Sequence, residues 1–200
     1  MKNNVIVKAS LLRWLMLSQS LMTFGAGVVF PFYLIFIKEI GGDFSQYGIA
    51  YGLYTLCSAG LSIWYGKCSD RFGRSRYLII SAWGTSVIFL IFPIVTGIVQ
   101  IYVLQILMGV FGAMQRVSER ALTADLTDHS KRGEYIGRYQ FGLSIASGIA
   151  VMAGGFLIDL FTLDWLFYAG SIILFISGMI MWLVPFDGIH QGRYDQSVEL

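Results

Sequence analysis

Six apolar stretches, each about one membrane span long, alternate with short polar segments along the chain. They cover residues 14–37, 47–66, 77–95, 101–122, 139–160 and 165–184. A helix of about 20 apolar residues crosses the hydrocarbon core of a bilayer. The pattern therefore predicts an all-α membrane protein with six transmembrane helices. We expect one six-helix bundle over residues 1–184, followed by a polar cytoplasmic tail over residues 185–200.

The basic residues predict the orientation of this bundle. If all six stretches cross the membrane, every Lys and Arg except Lys38 lies on the same side of the membrane as the N-terminus. Cytoplasmic segments of membrane proteins are enriched in Lys and Arg. We therefore expect an integral, multi-pass protein of the plasma or inner membrane, with both termini in the cytoplasm.

The composition agrees with a membrane protein and excludes several other classes. Charged residues make up 13% of the 200 residues, against about 25% in soluble domains. A nucleic-acid-binding domain would need a basic face on a soluble fold, which this pattern does not provide. Cys57 and Cys68 fit neither a disulfide framework nor a metal site. No nucleophile and base can be paired, so we expect neither an enzyme nor a cofactor.

The polar stretch between the second and third spans, residues 66–76, contains four basic residues, one acid and two glycines. It resembles the signature G-x-L-[AS]-D-R-x-G-R-[RK] of the major facilitator superfamily, which joins the second and third spans of that family. The residues concerned are Gly66, Ser69, Asp70, Arg71, Gly73 and Arg74, with Arg76 one place beyond the last basic position. The resemblance implies an inner-side latch in which Asp70 pairs across a bundle interface, and Arg138 is the candidate partner.

The resemblance continues through residues 124–137 and 154–168 and so covers nearly the whole chain. A standard member of the family has twelve spans in two six-helix halves, and this chain resembles the N-terminal half, built from two inverted three-helix repeats. Gln105 stands where many members carry an arginine four residues before a glycine, here Gly109. The fifth span also lacks the proline of the antiporter motif. The proton-linked role of that arginine and an antiport mechanism are therefore not carried over.

Small residues recur at helical spacing in two spans, which allows the backbones of membrane helices to approach closely. In the superfamily the second and fifth spans contact the opposite half of the transporter. We therefore expect these residues to contact a second copy of the chain or a complementary six-helix half, and packing within one bundle is the alternative. The candidates are Gly48 and Gly52 in the second span and Gly142, Ala146, Ala150 and Gly154 in the fifth.

Polar side chains within the spans mark a candidate cavity. They are Gln19 and Thr23 in the first span, and Gln105, Gln115, Arg116, Glu119 and Arg120 in the fourth. A charge in the hydrocarbon core usually pairs or faces water. Glu119 can reach Arg116 because the two are three residues apart on one helix, and Glu119 is a candidate proton site. In the alternative interpretation, both arginines extend to the cytoplasmic interface.

Together these features predict a secondary active or facilitative transporter that moves a small solute by alternating access, as a homodimer of six-helix halves. Two alternatives stay open. The chain is a truncated or separately encoded half of a twelve-helix transporter, or it is a non-transporting membrane subunit. The expected partners are the small-molecule solute, the lipid bilayer and the second bundle, with no nucleic acid.

Overall fold

Helices account for nearly all of the residues that the computed structural model describes. The structure describes residues 2–127 and 132–184, with side chains at all of these positions except 2–6, 8, 9, 70 and 71. In chain order the helices are α1 (Lys2–Val29), α2 (Tyr33–Glu39), α3 (Phe44–Phe72), α4 (Arg74–Ile91), α5 (Ile98–Leu126), α6 (Arg132–Leu160) and α7 (Leu163–Leu183). The described residues contain no strand, and the predicted all-α class is confirmed.

The first predicted span consists of α1 and α2, joined by a 3-10 turn over Phe30–Phe32. Pro31 lies in this turn, where it has no backbone N–H to give and its ring would clash with a preceding carbonyl group of a continuous α-helix. A second 3-10 turn, Phe92–Ile94, contains Pro93 and ends α4. Both prolines therefore lie at the end of the bundle that is remote from the α3–α4 connection. We call the end that contains this connection the basic end.

Five segments of the described chain are long and apolar enough to cross a membrane. They are Ser10–Glu39, Arg74–Ile94, Ile98–Leu126, Arg132–Leu160 and Leu163–Leu183. The second predicted span corresponds to α3, which has 29 residues but is rich in tyrosine, serine and glycine and is therefore less apolar. Most of the helices are also longer than the predicted spans, since the helical conformation continues into the polar residues that flank the apolar stretches.

The start of α3 is fixed by a capping box. A carboxylate oxygen of Asp43 accepts a hydrogen bond of 2.8 Å from the backbone N–H of Gln46, and the Gln46 side chain accepts one of 3.2 Å from the backbone N–H of Asp43. The two side chains thus satisfy backbone donors that a helix start leaves free. The hydrogen bond from the Gln46 backbone, followed by that from Ser45, lowers the pKa of Asp43.

The signature stretch is mostly helical, which differs from the expected polar loop. Helix α3 continues through Gly66 and Ser69 to Phe72, and α4 begins at Arg74. The single residue between them, Gly73, has φ 93° and ψ 125°, a conformation that side-chain-bearing residues rarely adopt. The connection is therefore a one-residue turn at Gly73, and Gly66 lies inside a helix.

The packing of the helices follows the two inverted three-helix repeats. In these repeats α1, α3 and α4 correspond in order to α5, α6 and α7. Helix α3 packs along α5, and its counterpart α6 packs along α1. Likewise α4 packs on α5 and α7 on α1, while α4 and α7 pack on each other. The helices α1 and α5 are thus central, whereas α3 and α6 form the two edges.

Helix α7 approaches α1 closely through glycine. A Cβ atom on Gly170 would lie 3.0 Å from the carbonyl oxygen of Gly25 and 2.9 Å from a methyl carbon of Val29. Ser18 of α1 and Ser177 of α7 also donate reciprocal hydrogen bonds, of 3.0 and 2.8 Å, to each other's backbone carbonyl oxygens. Backbone proximity and hydrogen bonding therefore act together at this interface.

A second reciprocal serine pair joins α7 to α4. The Ser86 hydroxyl donates to the Ser171 carbonyl oxygen at 2.9 Å, and the Ser171 hydroxyl donates to the Ser86 carbonyl oxygen at 2.8 Å. Because α4 and α7 are equivalent helices of the two repeats, this symmetric exchange is what a pseudo-two-fold axis between them would produce.

The small residues predicted for the subunit interface in α6 pack inside the bundle instead. A Cβ on Gly154 would lie 2.8 Å from the carbonyl oxygen of Val28, and one on Gly142 would lie 3.4 Å from the sulfur of Met16. Ala150 is fully buried against Gly27 of α1, and Ala146 lies on the same side of α6, one turn away from both Gly142 and Ala150. These contacts correspond to the alternative of packing within one bundle.

Candidate functional site

A cavity of about 320 Å³ lies beside the central helices α1 and α5. Fourteen residues from α1, α3, α4, α5, α6 and the first 3-10 turn line it. They are Gln19, Met22, Thr23, Ala26, Gly27, Phe30, Tyr54, Thr85, Met108, Gly112, Gln115, Arg116, Glu119 and Ser147. The cavity therefore combines an apolar wall with neutral polar groups and two charged side chains.

The edge helices flank this cavity. Tyr54 brings α3 to one side and Ser147 brings α6 to the other. A Cβ added to Gly48 or Gly52 of α3, or to Gly148 of α6, would meet no atom within 4 Å. The exposed small residues of the edge helices thus border a side of the bundle on which the described residues place no helix.

Neutral side chains connect three helices at the cavity wall. The Gln115 amide nitrogen donates a hydrogen bond to the Gln19 side-chain oxygen, and the Ser81 hydroxyl donates to the Gln115 side-chain oxygen. This network joins α1, α5 and α4, and all three residues are buried. Because these amides bind each other, they fix the positions of the central helices as well as presenting polar groups to the cavity.

Arg116 extends from α5 toward α3. Its guanidinium donates hydrogen bonds to the Tyr54 hydroxyl at 3.2 Å and to the Ser58 hydroxyl. The guanidinium carbon lies 5.6 Å from the centre of the Tyr54 ring, within the range of a cation–π contact. Tyr54 and Ser58 are four residues apart on α3, so both hydroxyls face α5 from adjacent turns.

Glu119 extends toward α6 instead. Its carboxylate accepts a hydrogen bond of 2.6 Å from the Tyr139 hydroxyl. The predicted pairing of Glu119 with Arg116 is therefore wrong, because hydroxyl groups on two different edge helices bind the two charged side chains. Through these separate partners, Arg116 and Glu119 connect α5 to both edges of the bundle.

Two residues predicted for the cavity lie outside it. Gln105 is buried beside Tyr33 and Phe92 in a separate small space of about 10 Å³. Arg120 is exposed on α5 and does not contribute to the cavity lining. Position along α5 explains both results. Gln105 lies about one turn before Met108, toward the end remote from the basic end, and Arg120 lies one turn beyond Arg116, toward the basic end.

Aromatic rings fill the bundle beyond the cavity, on the side remote from the basic end. Phe92 stacks on Phe167 with ring centres 4.9 Å apart, and Phe36 meets Phe167 edge to face at 5.0 Å. Phe30 and Met108 line the main cavity and also the small space beside this cluster. The cluster therefore separates the cavity from that end of the bundle.

The described signature residues tie helices together at the basic end. Arg74 forms an ion pair with Asp125 and donates a hydrogen bond of 2.7 Å to the Ala121 carbonyl oxygen, which joins the start of α4 to the end of α5. Ser69 is buried, and its hydroxyl donates to the Gly66 carbonyl oxygen at 3.2 Å. The side chains of Asp70 and Arg71 lie outside the described part of the structure.

Arg138, the predicted latch partner, is exposed near the start of α6. It forms an ion pair of 2.7 Å with Glu134, one turn earlier on the same helix. An exposed pair of this kind contributes only a few tenths of a kcal/mol, about 0.3–0.5. Arg138 could therefore exchange Glu134 for another carboxylate at little energetic cost.

The sequence reasoning missed Tyr54, Ser58, Thr85, Tyr139 and Ser147. Each is a polar residue in an apolar helix, and this polarity is the feature of the sequence that could have identified them as cavity residues. Hydroxyl groups can bind their own helix backbone, however, so their presence alone does not indicate a cavity. Tyr54 and Tyr139 acquire their roles only because α3 and α6 pack beside α5 and α1.

Comparison with known proteins agrees with this architecture. Residues 15–195 match the Major Facilitator Superfamily. The chain is 42% identical to the uncharacterised MFS-type transporter YitZ of Bacillus subtilis over 160 residues, which are 80% of this chain and 98% of that protein.

The chain belongs to the Major Facilitator Superfamily. It is a membrane-embedded transporter-family protein and not an enzyme.

Two further relatives are considerably longer than this chain. The multidrug resistance protein MdtG of Proteus mirabilis is 30% identical over 78% of this chain but only 40% of its own length. The tetracycline resistance protein, class B, of Escherichia coli is 30% identical over 66% of this chain and 33% of its own length. The chain thus spans two fifths or less of these two relatives but nearly the full length of YitZ.

Proposed function

We propose that this protein transports a small solute by alternating access around the cavity beside α1 and α5. The observation that carries the proposal is the position of the cavity, whose walls come from the central helices of both inverted repeats. In transporters built from such repeats, the solute site lies at the repeat interface near the middle of the membrane. The solute would thus contact Gln19 and Thr23 of the first repeat and Gln115 and Ser147 of the second repeat.

A second six-helix bundle would complete the cavity, and we propose that it is a second copy of the chain. Each edge helix has one side of small or polar residues that the bundle does not cover. On α3 it contains the exposed Gly48 and Thr55 and the half-buried Gly52, and on α6 it contains the exposed Ser144 and Gly148. Small side chains allow close helix packing in membranes. The match to YitZ covers 98% of that protein, which is therefore itself about one six-helix bundle long.

A neighbouring side of each edge helix has a different character. They expose large apolar side chains that suit contact with lipid. These are Ile49, Leu56 and Ile63 on α3 and Phe141, Ile145, Met152 and Phe156 on α6. The contrast between a small-residue side and a large apolar side on the same helix supports a specific protein partner for the former. In the proposed two-fold dimer, α3 of one copy packs on α6 of the other.

Cross-linking tests this arrangement directly. The variant Gly48→Cys/Gly148→Cys is made in a chain with Cys57→Ser and Cys68→Ser, and Ile49→Cys/Ile149→Cys on the lipid sides is the matched control. We expect the first pair to form a disulfide-linked dimer of twice the chain mass in native membranes, and the control pair to stay monomeric. A monomer for both, with an intact fold, would contradict the homodimer and favour a complementary half encoded elsewhere.

Alternating access is tested without knowledge of the solute. Ser147→Cys, in the same cysteine-free background, places a thiol in the cavity. We expect a membrane-impermeant thiol reagent to label it from either side of sealed, oriented vesicles, because the cavity opens to each side in turn. Labelling from one side only would contradict alternating access and favour a non-transporting membrane subunit.

The signature stretch would act as the inner-side latch of this cycle. We propose that Asp70 pairs across the dimer interface while the inner side is closed, with Arg138 of the other copy as candidate partner, after that arginine leaves Glu134. Asp70→Asn should then shift the protein toward the inward-open state and raise labelling of Ser147→Cys from the inner side. Unchanged labelling in Asp70→Asn would refute the latch.

A further inference from the structure

Arg116 differs from the other arginines whose ion pairs the structure describes. Arg74 binds Asp125 and Arg138 binds Glu134. Arg116 lines the cavity, and among the described residues its hydrogen-bond partners are two uncharged hydroxyl groups, those of Tyr54 and Ser58. A guanidinium has five N–H donors, so these two contacts leave donors available on the side of the cavity.

The nearest acid on the same helix does not neutralise this charge through direct contact. The Glu119 carboxylate accepts a hydrogen bond of 2.6 Å from the Tyr139 hydroxyl of α6. Arg120, the following residue, supplies a positive neighbour to that carboxylate. The acid thus has its own donor and its own cation, whereas the arginine has neutral acceptors only.

A guanidinium in this situation is suited to bind an anion. Arginine recognises carboxylate, sulfonate and phosphate groups through paired N–H donors. An ionised side chain within a membrane protein is costly unless it faces water or a partner, and it usually marks a solute pathway. Tyr54 and Ser58 position the guanidinium without neutralising it, which leaves the attraction for a solute anion intact.

We infer that the cavity takes an organic anion, whose acidic group binds Arg116. The apolar part of such a solute would lie against Met22, Phe30 and Met108, which line the same cavity. The inference names the solute class of the transporter proposed above and rests on that proposal for the statement that the bound anion is transported. Arg116 and its two hydroxyl partners form the anion site itself.

The test uses two thiol reagents of similar size and opposite charge on Ser147→Cys in the chain with Cys57→Ser and Cys68→Ser. The probes are sulfonatoethyl methanethiosulfonate, an organic anion, and trimethylammonioethyl methanethiosulfonate, a cation. The reaction rates of the two reagents with this thiol are measured in detergent, and the ratio of the anionic to the cationic rate is calculated. This ratio is divided by the same ratio for a small free thiol, which removes the difference in intrinsic reactivity. A unit charge within several Å in a partly aqueous site changes a local concentration by about tenfold. We expect the anionic reagent to be favoured by about that factor.

Three variants identify the source of the preference. Arg116→Gln should abolish it, and Arg116→Lys should keep it because the charge stays. Arg120→Gln is the matched control, since Arg120 lies one turn along α5 outside the cavity lining, and it should keep the preference too. The anion site would be overturned if the ratio of the anionic to the cationic reaction rate were the same in the parent chain and in Arg116→Gln. A parent chain that favours the cation would overturn it too, even if Arg116→Gln fails to fold.

This measurement needs no transport and no membrane potential. Failure of two-sided labelling in vesicles would therefore count against alternating access and leave the anion site standing. A lost charge preference in detergent, with two-sided labelling intact, would remove the anion site and leave the transporter proposal unaffected.

Discussion

The most apolar parts of helices α6 and α7 are almost equally apolar, yet the bundle buries them to very different extents. Within the most apolar window of each helix, 44% of residues are buried in α7 and only 11% in α6. Helix α7 packs between α1 and α4, whereas α6 packs mainly on α1. Apolarity therefore explains why both helices enter the membrane but not how much protein surrounds each one.

The difference lies in where small residues stand on each helix. In α7 they face other helices of the bundle, as Gly170 faces Gly25 and Ser171 faces Ser86. In α6 one set faces α1, including Ala150 and Gly154, and a second set includes Gly148, where an added Cβ would meet no atom of the described residues within 4 Å. A helix with two small-residue sides has room for two protein neighbours, which is the basis for placing a second bundle beside α6.

The largest effect is expected from a bulky side chain at the α7–α1 contact. Gly170→Leu should destabilise the folded protein by about 3 kcal/mol, because overpacking against a neighbouring backbone cannot be relieved by side-chain rotation. Gly148→Leu on α6 is the control and should lower the stability of the isolated bundle by less than about 0.5 kcal/mol. Reversible unfolding in mixed detergent micelles, followed by circular dichroism, measures both. Equal losses would show that α6 is enclosed as tightly as α7.

A smaller effect is expected where α6 is tied to α5. Tyr139→Phe removes the hydroxyl that donates to Glu119 and should lower the stability by about 1.5 kcal/mol, a usual value for a hydrogen bond to a charged group. Glu119→Gln combined with Tyr139→Phe should restore part of the loss, because the neutral amide has less need of a donor. The same unfolding assay measures the coupling, and additive losses would argue against the bond.

The smallest effect is expected from a single serine of α7. Ser177→Ala should lower the stability by about 0.6 kcal/mol, the average for hydrogen bonds between membrane helices. A double-mutant cycle with Ser18→Ala should show coupling between the two serines. Ser144→Ala on the exposed side of α6 is the control and should not couple to Ser18→Ala. Coupling of equal size in both cycles would mean that long-range effects, and not the reciprocal bonds, are being measured.

Much of the fold could be predicted from the sequence. Each predicted span corresponds to a helical segment, five of which are long and apolar enough to cross a membrane. The signature around Asp70 identified the family that the comparison with known proteins confirms. The helix ends were less accurate, because α3 and α5 continue as helices into polar residues beyond their apolar cores. At residues 66–76 a glycine-containing polar stretch suggested a loop, but only Gly73 leaves the helical conformation.

The site could be predicted only in part. Gln19, Thr23, Gln115, Arg116 and Glu119 do line one cavity, since polar residues on one side of an apolar helix tend to share an aqueous space. Gln105 and Arg120 do not, because a list of polar positions on α5 carries no information about where along the helix the cavity begins and ends. Whether the cavity residues act on a solute stays a prediction for the reactions described above.

By itself, the sequence determined that this chain is a helical membrane protein of a known transporter family. Those properties depend on apolar length, on the distribution of basic residues and on a local signature, all of which can be read along the chain. Only the tertiary structure decided that Arg116 turns to Tyr54 and Ser58 while Glu119 turns to Tyr139. These partners lie 62, 58 and 20 residues away, and contacts at such separations exist only once α3 and α6 have packed on opposite edges of the bundle.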